Sequence, residues 1–197
     1  MKIIIGLILV GVSLLFTVLS LLRKNEPYFN FREVISNHLK LFENCKFQYI
    51  VFYGLPILFA VGLSMVYQAG ASFYSELSII LGILLSMLFA MLSILGGYDL
   101  SDIEDEKQRQ KGKNGIKQTA NAIMFEAILI VGLLLYGLTV IVVSGTTLPF
   151  DYNVIKLVAS GIAYYVFFVI LLNLLLVLKN MSKIISFHLD AKREQKK

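Results

Sequence analysis

Five stretches of about 20 mostly apolar residues, at 3–22, 47–67, 76–98, 121–143 and 154–178, constrain this chain more than any other feature. A helix rises 1.5 Å per residue, so a stretch of that length crosses a hydrocarbon core of ~30 Å. Lipid offers no partner to backbone N–H and C=O groups, so such stretches are read as helices. The composition agrees: 57% of the 197 residues are hydrophobic and 16% are charged. A soluble domain of this size could not hide that much apolar surface. The expected fold is all-α, a polytopic transmembrane helical bundle with residues 1–197 as one domain. About five spans are expected, or four if the first is peripheral. That first stretch, flanked by Lys2 and Arg23-Lys24, is too long for a signal-peptide core and precedes no small-x-small cleavage site, so it reads as a retained helix.

The polar segments set the orientation. Segments 23–46, 98–120 and 179–197 carry five, five and six Lys and Arg, whereas 68–75 and 144–153 carry none. The positive-inside rule places the first three in the cytoplasm, giving an outer N-terminus and a cytoplasmic C-terminus in a bacterial inner membrane. The net charge of +5 is accounted for by this bias and by attraction to anionic lipid, and direct nucleic-acid binding is not expected. The basic tail at 179–197 is expected to prolong the last helix and then fray.

Within 23–46, Phe31, Ile35, His38 or Leu39, Phe42 and Cys45 share a helical face, and Asn30 with Glu33 resembles a capping box. A short amphipathic cytoplasmic helix on the membrane surface follows, with docking to another chain as the alternative. Cys45 is the only cysteine, so no disulfide can form within the chain. In the second span, Gly54-Leu55-Pro56 should kink the helix near its inner end. In the third, Ser78, Gly82, Ser86 and Ala90 recur every four residues and make a row of small side chains suited to close helix packing, within the chain or in a homo-oligomer.

The central segment, YDLSDIEDEKQRQKGKNGIKQTA, is the longest polar interruption. Its acids come first (Asp99, Asp102, Glu104, Asp105, Glu106) and its bases later (Lys107, Arg109, Lys111, Lys113, Lys117). Ser101 with Glu104 suggests a cap, and Asp105 with Arg109 a four-residue ion pair, so a helix is expected from about Asp102 to Lys111, stopped by Gly112 and Asn114-Gly115. EF-hand spacing is missing, so no metal is assigned. Asp102, Glu104, Asp105, Glu106, Lys107 and Arg109 are instead expected to face a cytosolic protein partner. The two histidines, His38 and His188, are far apart in sequence, and nothing supports a shared metal site.

Two polar residues fall within spans. Glu126 is a candidate by default, as an intramembrane carboxylate. Ala127 to Val143 already suffices to cross the core, so the expected place of Glu126 is the inner interface. Asn173 is expected to hydrogen-bond across helices, a contact of about 1 kcal/mol, with a pore-lining role as the sharper alternative. No cofactor site and no enzymatic constellation stands out. Two functions remain: a homo-oligomeric membrane scaffold or sensor that recruits a cytosolic partner, and an ion-leak effector or small channel whose first candidate residues are Glu126 and Asn173.

The architecture, with tiny outer loops and a charged segment running into NGIKQTANAIMFEAILIVGLLL, resembles the membrane subunits of bacterial antiphage-defence operons, such as the Kiwa membrane component. The likeness covers the general layout and residues 113–135, and it carries over no functional residue. It implies an inner-membrane oligomer that senses infection at the envelope and works with a cytosolic, nucleic-acid-directed partner. That family is usually described with four spans, whereas the apolar stretches here number five.

Overall fold

The computed structural model describes residues 31–40, 46–98, 100, 105–145 and 153–194, together with six helical positions between Gly6 and Phe16. The expected first span, and with it Asn30, Phe42, Cys45, Ser101, Asp102 and Glu104, lie outside the continuous described segments. Among the described residues the secondary structure is helical and no strand occurs. Helix α1 is Phe31–Lys40. Helix α2 comprises Lys46–Tyr49 and Leu55–Val66, joined through a π-helical turn at Ile50–Gly54. Helices α3, α4 and α5 are Ala71–Gly96, Glu106–Ser144 and Asn153–Glu194. Four of these, α2 to α5, are long and apolar enough to cross a membrane. The chain is therefore a membrane-embedded helical bundle with four described spans; a fifth is not established.

The spans alternate in direction. Their main contacts run α2 on α5, α5 on α4 and α4 on α3, so the order across the bundle is α2–α5–α4–α3, with α1 laid against α4. The buried positions explain this order. On α3, Tyr74, Leu81, Leu88 and Leu95 are buried; on α4, Ile123, Ile130 and Gly137; on α5, Ala163, Ile170, Val177 and Ile184. Each series repeats every seven residues, the spacing that keeps a seam facing a neighbouring helix at a small crossing angle. Where a large side chain meets the seam, the opposing residue is small. A Cβ on Gly137 would lie 3.4 Å from the Tyr74 ring.

This seam differs from the row expected to pack α3. Ser78 and Gly82 are half-buried, but Ser86 and Ala90 are exposed. A four-residue step advances by roughly 40° per repeat on a straight helix, whereas a seven-residue step lags by only ~20°. The small row therefore winds off the α4 contact and onto the open face of α3. The Ser78 and Ser86 hydroxyls donate back to their own helix, to Tyr74 O at 2.8 Å and Gly82 O at 3.0 Å.

Proline shapes α2 through a π-helical turn, where the sequence reading expects a kink. Pro56 brings no N–H and is fully buried, and the helix before it widens so that Leu55 N–H donates to Ile50 O, five residues back. At the end opposite the basic segments, the turn Tyr67–Gly70 is tied to α5. Ala69 N–H donates to Ser160 Oγ at 2.8 Å, and Tyr164 OH donates to Tyr67 O at 3.2 Å. These bonds satisfy backbone groups that lipid would leave unpaired. The α2–α3 connection is thus shorter than the expected 68–75 loop, and α3 starts at Ala71 rather than Glu76.

The central segment overturns its expected helix boundaries. Helix α4 runs unbroken through Gly112, Asn114 and Gly115 into the span. Two glycines cost a helix interior about 1 kcal/mol each, and contact along α5 outweighs that. Gly112 is also needed for close approach: a Cβ there would lie 2.8 Å from Phe187 and 3.3 Å from Leu100. The N-cap is Asp105, whose carboxylate accepts from Lys107 N–H at 2.9 Å. With Asp105 so engaged, Arg109 pairs instead with Glu106 at 2.6 Å, replacing the expected Asp105–Arg109 pair.

Two outcomes follow. Asp105→Ala removes a cap worth about 1 kcal/mol, and hydrogen exchange at the amides of residues 106–109 is expected to speed up several-fold while the span is unaffected. Gly112→Val forces the valine into Phe187 and Leu100 at a cost of about 1–3 kcal/mol, seen as a lower unfolding temperature and faster tryptic cleavage after Lys111 and Lys183.

Candidate functional site

The membrane core needs only part of α4 and α5. From Ser144 down to Glu126 is roughly 27 Å of helix, and from Asn153 down to Asn173 roughly 30 Å. By helix length, Glu126 and Asn173 therefore lie towards the basic side of their spans. Below them α4 and α5 continue together as a stalk, again roughly 30 Å long on each helix.

At that level, polar side chains from several elements meet. Helix α1 turns His38 inward, leaving Leu39 on the more exposed side, so the sequence alternative resolves in favour of the histidine. The imidazole is 1% exposed, stacks on Phe125 with ring centroids 3.9 Å apart and planes 9° from parallel, and donates through Nε2 to Asn173 Oδ1 at 3.2 Å. Asn173 thus bonds across helices, to α1 rather than to another span. Next to Phe125, Glu126 is fully buried, and neither carboxylate oxygen has a hydrogen-bond partner among the described residues. An unpartnered buried carboxyl is costly, so this position is held by the packing around it and not by its own bonds.

His38 is the residue that sequence reasoning undervalued. Its i, i+3 placement after Ile35 put it on the apolar face of α1, yet nothing in the spacing linked it to Asn173, 135 positions away. His188 lies elsewhere, edge-on to Tyr98 at 5.1 Å, so the two histidines share no site. No group of three or more His, Cys, Asp or Glu that could hold a metal ion occurs among the described residues.

The stalk carries the other expected site. Asp105, Glu106, Lys107 and Arg109 form its first turn and are exposed, while Asp102 and Glu104 lie outside the described residues. Between the two stalk helices, with Tyr98 and Leu100 at its edge, opens a cleft of about 1140 Å³. Gly112 and Gly115, read from the sequence as helix stops, line it.

Burial holds the His38 imidazole down at about 4, below its ordinary 6.5, with the bond to Asn173 pulling the other way. Undocked, the ring titrates near its ordinary value, so between those limits the undocked state binds more protons. Docking of α1 is therefore strongest above pH 6.5 and weakens by up to about 3 kcal/mol as pH falls to 4. Hydrogen exchange of residues 31–40, corrected for intrinsic rate, should report this loss, and His38→Leu should flatten it. Comparisons with protein families, with curated proteins and with solved structures matched nothing.

Proposed function

We propose that this protein is a scaffold or sensor of the bacterial inner membrane that homo-oligomerises and holds a cytosolic protein partner on its stalk. The observation that carries this reading is the stalk itself. Two helices continue past the membrane core as a packed pair, with the charged turn of residues 105–109 at its far end. A chain that only needed to sit in lipid has no use for that length. The concentration of Lys and Arg on this side favours a cytoplasmic stalk. For the oligomer, the support is the open face of α3: nothing lies within 4 Å of a Cβ placed on Gly82, which leaves room for a helix of a second subunit beside Ser78, Ser86 and Ala90. The resemblance to membrane subunits of antiphage-defence operons supplies the setting, in which the partner acts after an envelope signal.

The ion-leak alternative rests on Glu126 and Asn173. Both are sealed within one chain under α1 and Phe125, so a wet path through them requires α1 to leave. That requirement makes it the second reading.

The test is the native mass of the tagged full chain, extracted in mild detergent from cells that co-express its neighbouring genes. A discrete oligomer with a stoichiometric soluble companion is expected, and Lys107→Glu with Arg109→Glu should release the companion while leaving the oligomer intact. An oligomer without a companion sinks the reading. Cation flux in liposomes that is lost in Glu126→Ala would install the alternative.

A further inference from the structure

The stalk cleft has a chemistry of its own. Its volume, about 1140 Å³, is at or above the range of about 300–1,000 Å³ typical of small-molecule sites. Ile116, Ile184 and Phe187 give it an apolar floor. Three ammonium groups line its walls: Lys107 and Lys111, one turn apart on α4, and Lys183 on α5. The one carboxylate among the described lining residues is Glu106, which is already held by Arg109. The amides of Gln110, Asn114, Gln118 and Asn180 also line the cleft and add neutral hydrogen-bonding groups. Like charges gathered round one cleft repel, and an anion bound among them offsets that repulsion.

Depth narrows the class. The upper end of the cleft, at Thr119, lies about 10 Å of helix beyond Glu126, where the apolar run of α4 gives way to the charged stretch 106–117, and such a transition belongs at the headgroup level. We propose that this cleft binds a phosphate ester, presented by a lipid headgroup or by a soluble nucleotide. The lysines take the phosphate oxygens through charge-assisted hydrogen bonds, the amides take neighbouring hydroxyl or carbonyl groups, and the apolar floor takes the organic part. The site stands whether or not the stalk also holds a protein.

The experiment uses the full chain in phosphatidylcholine nanodiscs. One arm adds phosphatidylglycerol to the bilayer and reads retained lipid by native mass spectrometry; the other titrates ATP and reads bound nucleotide by equilibrium dialysis. Saturable binding of one ligand per chain is expected in one arm, and that arm names the source. Lys111→Gln with Lys183→Gln should weaken it by roughly tenfold per lysine. Lys113→Gln with Lys179→Gln removes the same charge from exposed stalk positions outside the cleft and should bind as wild type. Should the cleft variant not fold, acetylation of the wild-type lysines decides: the ligand should protect Lys111 and Lys183 but not Lys113 and Lys179. Binding in neither arm, equal loss in both double variants, or uniform protection of all four lysines overturns the proposal.

Discussion

The contact between α4 and α5 is the one on which the rest of the molecule depends. Lipid gives apolar helices little reason to prefer one another over acyl chains, so their association rests on close packing and on bonds that lipid cannot offer. Here the two longest helices meet along a seven-residue repeat that continues past the membrane. At the end opposite the basic segments Tyr136 OH donates to Ala159 O at 2.9 Å; at the basic end Gly112 faces Phe187. The seam joins two environments. Inside lipid it is a packing interface. Beyond lipid it gains the hydrophobic drive of water, which carries the helix through the two glycines that would otherwise end it. The other spans attach to this pair, α3 through α4 and α2 through α5.

Towards the basic side of the spans, a polar layer closes the bundle. His38, Glu126 and Asn173 come from three separate elements and are each essentially inaccessible to water. Placed in the middle of the core, the same groups would be far more costly; placed in water, they would hold nothing together. In this layer, α1 covers them, and the histidine–asparagine bond with its stacked Phe125 makes α1 part of the bundle. An amphipathic helix in this position has two surfaces to choose from, the bundle and the lipid, and His38 is the residue whose bonds favour the bundle.

Much of this architecture was readable along the chain. Uncharged runs longer than a bilayer needs announced the spans, and Pro56 announced the disturbance in α2, because a missing N–H has the same consequence in any context. The central segment was less so. Local rules ended its helix at Gly112 and paired Asp105 with Arg109; both statements concern an isolated helix. The small-residue row on α3 was visible as a pattern, but whether such a row packs depends on which way the helix is turned.

Sequence alone thus marked the four described spans as able to enter lipid, because that choice is made residue by residue through the cost of burying charge and backbone. It also determined where positive charge gathers. Tertiary structure decided what those parts do to each other: that a seven-residue repeat, and not the small row, forms the seam within the chain; that a glycine marks a close approach and not an end; that His38 finds Asn173; and that lysines of two separate helices surround one cleft. These are pairings between distant positions, and their energies exist only once two helices lie side by side. A chain read in one dimension contains the donors, acceptors and small residues, but not the distances that turn them into contacts.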